Sequence, residues 1–265
     1  MNYGAILLEK KESVATLTLN RPERLNALTE QLCEEVLDAV NKLAQDDTVR
    51  VLIFTGSGRG FSAGLDLDWA RSMVEQRKQG KRVYDLPDWV TKFHLALVDM
   101  PQPTIAAING AAVGWGITMT LSCNIRIAAE DARISFPFAA SVGIIPENNS
   151  TYMLPRLVGI GKACELIFTG KTITGKEAKE IGLVNDAVPS DQLQTVTSGL
   201  AETIARGAPM AMRLAKQGLY QGLDADRYKQ LLWEETTIRA TLQSEDHAEA
   251  VEAFLAKRKP IFKGR

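Results

Sequence analysis

The stretch FSAGLDL, residues 61–67, follows VLIFTGSGRG without a break. Val51 to Phe54 is an unbroken apolar run bounded by Gly56, Gly58 and Gly60, which predicts a strand covered on both faces and ending in a tight turn. Beyond it, DLDWARSMVEQ spaces Leu67, Ala70 and Val74 at helical intervals. The peptide groups near Gly64 and Leu65 then stand at a helix N-terminus, where amides lack intrahelical acceptors and bind anions.

The other chemistry-bearing residues are sparse. Two histidines, His94 and His247, and three widely separated cysteines, Cys33, Cys123 and Cys164, give no CxxC pair and no zinc spacing. No Ser-His-Asp set can be drawn from two histidines that lie in no recognisable motif. His94, in KFHLALV, reads as a satisfied or surface histidine, and Cys123 as inert core at the end of a buried helix.

The elements that must position such a bend follow from periodicity. AILLEKKESVATLTLN reads as two strands around a Lys-Glu-Ser turn, and Thr29 can cap a helix with the stripe Leu32, Val36, Val40 and Leu43. After the first bend, a polar segment from Gln76 to Lys81 leads to a helix over LPDWVTKFHLALVDM, residues 86–100. Then come a strand TIAAIN, a turn GAAVG and a buried helix WGITMTLSC. Strand, turn and helix recur near RIAA and GLVNDAV without sequence identity between copies, so the repeat is architectural. From about Asp191 the pattern becomes helices alone, which divides the chain into a core over 1–190 and a helical region over 191–265. Leu231, Leu232, Trp233, Ile238, Phe254 and Leu255 exceed what a short tail buries by itself, so this region packs on the core or on another subunit.

Composition narrows the class. A chain of 265 residues with 24% charged residues and a net charge of -1 has ordinary globular composition, and its charge argues against a phosphate backbone as the main partner. Met100 to Ile125 carries no formal charge and has the length of a membrane span, but Gln102, Asn109, two prolines and three glycines interrupt it, so no membrane partner is expected. The first twelve residues hold charges and neither an apolar signal core nor an Arg-rich presequence, and a reduced, cytoplasmic location is expected. GSGRG gives no G-x-G-x-x-G and no GK[ST] follows, so a nucleotide loop is disfavoured.

Seven segments together resemble the crotonase (enoyl-CoA hydratase/isomerase) superfamily. They are NRPERLNAL at 20–28, FTGSGRGFSAGLDL at 54–67, AAINGAAVGWG at 106–116, PE within IIPENNS at 144–150, LPRLVG at 154–159, FTGKTITGKEAKEIGLVNDAV at 168–188, and the terminal FLAKRKPIFKGR. The resemblance implies a crotonase-like α/β spiral of repeated ββα turns, a C-terminal helical region that builds a homotrimer or a dimer of trimers, and coenzyme A thioesters as ligands. Coenzyme A would arrive as part of the substrate, with no resident cofactor and no metal. The family's two-amide oxyanion hole falls on the Leu65 and Trp115 N–H groups, with Gly64 and Gly114 allowing close backbone approach. Helix-opening amides suit that role, each such donor contributing roughly 3 kcal/mol to an acyl transition state. Trp115 stands where many relatives have glycine; it keeps the amide and narrows the acyl pocket. The Ala63 backbone would meet the adenine, Asp66 would brace the bend, and Arg24, with Lys257 or Lys263, would approach the nucleotide phosphates.

The reaction depends on carboxylates. Hydratases of the family use two glutamates, to activate water and to deliver a proton. Here those positions hold Thr118 and, depending on where a gap is placed, Phe138 or Ala139, none of which can do carboxylate work. Relatives with one acid in a PE turn, enoyl-CoA isomerases among them, match Glu147. One carboxylate suffices for a 1,3-proton shift, and a desolvated Glu147 would have a raised pKa. A plainer role also fits, in which PEN opens the next helix with Asn148 or Asn149 capping it. FAASVGIIPE is one residue longer than the usual isomerase loop, and Asn148 replaces a common glycine. Three readings stay open: an isomerase with Glu147 as acid/base, a hydratase or hydrolase using Glu147 and water, and a non-catalytic CoA-thioester binder. RNA binding, known for some relatives, is not expected, because the helix from Glu30 to Asp47 is acidic.

Overall fold

AILLEKKESVATLTLN folds as an antiparallel hairpin of β1 (Ile6–Lys11) and β2 (Val14–Leu19), turned at Glu12 with φ 53°. The computed structural model describes residues 3–80 and 88–265, with the backbone alone over 88–91. Residue 81 of the polar segment and residues 86–87 of the helix expected after it lie outside the described residues. Thr29 caps α1 (Glu30–Ala44) by accepting from Leu32 N–H, and Leu32, Val36, Val40 and Leu43 are its buried stripe. The chain then runs β3 (Val51–Gly56), β4 (Gly60–Ser62), α2 (Leu67–Lys78), α3 (Asp88–Asp99), β5 (Thr104–Ile108), β6 (Ala111–Val113) and α4 (Trp115–Thr118). A 3-10 turn (Met119–Ser122) continues α4, followed by β7 (Ile125–Ala129), β8 (Arg133–Ser135) and a π-helical turn (Phe138–Val142). Then come α5 (Ser150–Val158), α6 (Ile160–Thr169), β9 (Ile173–Thr174), α7 (Gly175–Glu180) and β10 (Asp186–Val188). The chain closes with α8 (Leu193–Ala205), α9 (Pro209–Gln221), α10 (Arg227–Leu242) and α11 (Glu245–Leu255).

Among the described residues the strands form two sheets. One has the order β1-β2-β3-β5-β7-β10 and the other β4-β6-β8-β9. Successive turns of the chain add a parallel strand to the first sheet and then a short parallel strand to the second: β3 then β4, β5 then β6, β7 then β8. GAAVG, expected as a turn, is therefore mostly the strand β6, and its bends are the flanking residues up to Gly110 and at Gly114. Three small residues cannot show a period of two, which is why the strand is invisible in the sequence. The charge-free run from Met100 to Ile125 is divided among β5, β6, α4 and the 3-10 turn, and no helix among the described residues is long and apolar enough to cross a membrane.

The helical C-terminal region does not start outside the core. Leu193, Thr197, Ala201 and Ala205 make one buried face of α8, which packs on β3, β5 and β7, so the division near residue 190 falls ahead of a core helix. Buried Lys216 ties α9 to the same body by donating to Met100 O at 2.6 Å and Gln102 O at 3.1 Å. Only α10 and α11 stand off: α10 has no buried residue, and Leu231, Leu232, Phe254 and Leu255 are exposed. The stripe read on α2 is likewise not core, since Leu67 and Val74 are exposed and only its Ala70 is half-buried, alongside Trp69 and Met73.

Candidate active site

The first bend is built from a buried asparagine. Asn26 is fully buried, and its Nδ2 donates to Ser57 O and Gly60 O, both at 2.9 Å, while its Oδ1 accepts from Arg21 N–H. This ties the NRPERLNAL turn across the glycine loop that follows β3. Leu28 N–H donates to Gly64 O and Asp66 N–H donates to Leu28 O. That bridge engages the peptide groups on either side and leaves the Leu65 N–H without an acceptor among the described residues. Asp66 ends the bend as the N-cap of α2, accepting from Asp68 N–H at 3.0 Å and pairing with Arg21 at 3.2 Å. Burial would raise its carboxyl, but the Asp68 amide and Arg21 outweigh that and hold it below the usual range.

The second bend lies beside the first because the strands that lead into them are neighbours. Gly60 pairs with Ala111 and Ser62 with Ala112, in parallel. Leu65 follows Ser62 by three residues and Trp115 follows Ala112 by three, so the two chains leave the same edge together. They touch. Gly64 has φ 85°, and a Cβ built on it would sit 2.6 Å from Val113 O and 3.5 Å from Trp115 N. A Cβ on Gly116 would sit 2.2 Å from Ser62 O. Glycine is required at both positions by close backbone approach. Gly114, with φ 55°, is the N-cap of α4, and Trp115 supplies the first amide of that helix. The Trp115 ring is half-buried and packs against the core.

Glu147 reaches this corner from a third segment. Its Oε1 accepts from Thr118 Oγ1 at 2.7 Å, and Thr118 lies one helical turn past Trp115, whose carbonyl is 3.2 Å from the same hydroxyl. Burial pushes the Glu147 carboxyl up to about 7, against the smaller lowering effect of the Thr118 hydroxyl. The plainer helix-start role is not what the carboxylate does. Asn149 is the N-cap of α5 but has left-handed backbone, φ 55°, and its side chain caps nothing. The extra residue of FAASVGIIPE coincides with the π-helical turn, a geometry that absorbs one residue more than an α-turn. Phe138 is buried with its ring tip toward Gly114, and Ala139 is exposed, so neither supplies polar chemistry.

The expected nucleotide contacts are only partly gathered. Exposed Arg24 leans toward Asp68, at 3.8 Å, on the first turn of α2. Ala63 N–H is already donated to Leu25 O, which leaves its carbonyl for a ligand. Lys263 is not brought to Arg24 within this chain: its amide is held by Asp246 at 2.6 Å, and the adjacent Phe262 O by Arg50, which precedes β3, whereas the bends follow it. Lys257, with φ 53°, is exposed at the end of α11. His94 is buried with Nδ1 2.6 Å from Ser122 Oγ, a satisfied core histidine, and burial raises the Cys123 thiol to about 11. No cluster of His, Cys, Asp or Glu among the described residues could hold a metal. Sequence reasoning passed over Asn26 and read Thr118 and Asn148 only as departures from relatives or as a cap, whereas the structure ties Asn26 into the first bend and brings Thr118 and Asn148 to Glu147. The Asn148-Asn149 pair does carry a signal, since asparagine is the non-glycine residue best suited to a left-handed turn.

A family model described as enoyl-CoA hydratase/isomerase matches residues 9–265. A short-chain-enoyl-CoA hydratase of Clostridium acetobutylicum is 36% identical over 262 residues, 98% of this chain and 97% of its own. The 1,2-epoxyphenylacetyl-CoA isomerase of Escherichia coli is 35% identical over 264 residues, 98% of each chain. The crystal structure of an enoyl-CoA hydratase from Bacillus anthracis, 35% identical, superposes with a TM-score of 0.89 and covers 99% of this chain and 100% of that one.

Proposed function

The chain belongs to the enoyl-CoA hydratase/isomerase family, and from that premise we propose that it shifts the double bond of an enoyl-CoA thioester from the 3 to the 2 position. Glu147 is the one acid/base, and the Leu65 and Trp115 N–H groups receive the thioester oxygen. The carrying observation is that Glu147 is half-buried and tied through Thr118 to the helix that Trp115 opens. Similar relatives are named hydratase more often than isomerase, at identities that differ by one per cent between the two cited, so likeness does not favour the isomerase reading.

In the forward direction the Glu147 carboxylate takes a proton from C2 of the 3-enoyl thioester. The electron pair moves onto the thioester oxygen as a dienolate, and the same carboxyl returns the proton at C4. Two amides aimed at that oxygen need no reorganisation as the charge develops. A carboxyl poised at about 7 can both take and give the proton near neutral pH. In this reading Gly64 and Gly114 let the thioester approach the backbone, the Ala63 carbonyl meets the adenine, Asp66 braces the bend, and Arg24 meets a phosphate. The exposed apolar residues of α10 and α11 would pack against other copies in a homotrimer.

Incubation with 3-enoyl-CoA and with 2-enoyl-CoA, followed by mass and absorbance of the products, tests the reading. Isomerisation gives the conjugated product at unchanged mass, and Glu147→Gln abolishes it while retaining CoA-thioester binding by calorimetry. Gain of one water from 2-enoyl-CoA with no migration would assign the hydratase reading instead, and no reaction of either compound would leave a binder.

A further inference from the structure

Asn148 and Asn149 have φ 53° and 55°, and Ser150 N–H closes on Glu147 O at 3.1 Å, so the acid is the first residue of a tight left-handed turn. This turn carries the Asn148 side chain inward, 7% exposed, with Nδ2 3.3 Å from Thr118 Oγ1. Asn148 Oδ1 is buried with no hydrogen-bond partner, so among the described residues the Thr118 contact is what orients the carboxamide. The Thr118 hydroxyl therefore has three polar neighbours: Asn148 Nδ2, Glu147 Oε1 at 2.7 Å and Trp115 O at 3.2 Å. It has one proton to give. An N–H pointing at its lone pair leaves that proton to be shared between the carboxylate and the Trp115 carbonyl, and the shorter, charge-assisted contact is to the carboxylate.

We propose that Thr118 and Asn148 are positioning residues for the acid: Asn148 Nδ2 donates to Thr118 Oγ1, and Thr118 holds Glu147 by Oε1, which leaves Oε2 to exchange the proton with the substrate. The proposal rests on Glu147 being the acid of the proposed reaction. No proton is lost along the relay. The substrate proton moves from carbon to Oε2 and back to carbon, while the Thr118 proton turns toward Trp115 O when Glu147 is neutral and toward Oε1 when it is charged. Burial, the Thr118 hydroxyl and the backbone of Glu147 itself act on the carboxyl, and no charged side chain among the described residues does. The reverse orientation of the carboxamide, Oδ1 toward Thr118, would draw the hydroxyl proton away from Glu147 and invert the expected effect of removing it.

The test is a carbon-13 NMR titration of the Glu147 carboxyl, assigned by its disappearance in Glu147→Gln, on the free protein. Thr118→Val should raise the midpoint by about one pH unit, the worth of one charge-assisted hydrogen bond, and Thr118→Ser should restore it. Asn148→Gly keeps a residue suited to positive φ and should raise the midpoint by a smaller amount, because an unpolarised hydroxyl is a weaker donor. An unchanged midpoint in Thr118→Val with wild-type melting, or a lowered midpoint in Asn148→Gly, overturns the proposal. Turnover of 3-enoyl-CoA supplies the separate arm: Thr118→Val should lower kcat with KM unchanged. A wild-type protein that moves no double bond sinks the isomerase reading without altering what the titration reports about the relay.

Discussion

At the scale of single residues, the conflict at Glu147 decides the behaviour. Burial opposes its charge, one hydroxyl supports it, and the carboxyl settles at about 7 rather than its ordinary 4.5. Because the proposed isomerisation requires the free enzyme to present Glu147 as a carboxylate, kcat/KM for 3-enoyl-CoA should climb as pH rises through about 7 and then level off. Pre-steady-state or initial rates across pH 5 to 9, roughly two decades on either side of that midpoint, will show a single ionisation if Glu147 acts alone. Stability carries the opposite sign. A folded-state pKa raised above the unfolded value gives a stabilising contribution that is complete below pH 4.5 and is lost as pH rises through about 7. Glu147→Gln lacks this loss, so relative to wild type it should gain stability between those values, by at most about 3 kcal/mol above neutrality. Urea unfolding of both proteins at acid and alkaline pH checks it, and equal differences at the two pH values would show that the carboxyl is not desolvated.

At the scale of elements, the two bends are held differently from the helices they open. The first depends on Gly64, whose φ of 85° and 2.6 Å approach to Val113 O forbid a side chain. Gly64→Ala should cost about 1–3 kcal/mol of stability and, by pushing the bends apart, lower turnover by about a hundredfold, the loss typical of one misplaced oxyanion donor. Thermal melts and kcat at saturating substrate measure the two effects separately. Asp66→Ala removes the α2 cap and the Arg21 pair, and should cost about 1–2 kcal/mol, whereas Asp66→Asn keeps the capping oxygen and should recover part of it. Much of this level was legible: the hairpin, α1 with its Thr29 cap, β3, β5 and the all-helical stretch after Asp191 appear where periodicity placed them. The short strands β4 and β6 were not legible as strands, because residues chosen for small size at a crowded crossing carry no alternation.

For the whole molecule, the sheets and α1, α8 and α9 form one body, and α10 and α11 leave Leu231, Leu232, Ile238, Phe254 and Leu255 exposed. Paired charges at Leu232→Glu and Phe254→Glu should leave the helices folded, since neither residue contributes to the core, and should lower the solution mass toward the 29.0 kDa of one chain. Sedimentation velocity of wild type and variant measures it; a wild type that already sediments as a single chain would remove the case for a homotrimer. The tail is anchored in its own right by buried Asp246, which accepts from the Lys263 and Gly264 amides. That anchorage fixes where the Lys263 backbone lies within the chain.

Sequence alone determined the family, through seven ordered segments, and the chemical types at the candidate site: glycines at the bends, amides opening helices, and one glutamate, with threonine and an apolar residue standing where relatives with two acids have glutamates. Those are properties of residue type and order, and they survive without coordinates. Tertiary structure decided which groups meet. Thr118 was legible only as a missing carboxylate, yet folding brings Glu147 to its hydroxyl from 29 residues away along the chain. The stripe on α2 and the start of the helical region read plausibly by period, but burial depends on what packs opposite, and that partner lies far off in sequence. Parallel pairing of β4 with β6 sets the two bends side by side, and no local signal in either segment specifies that neighbour, because parallel partners are joined by long crossovers.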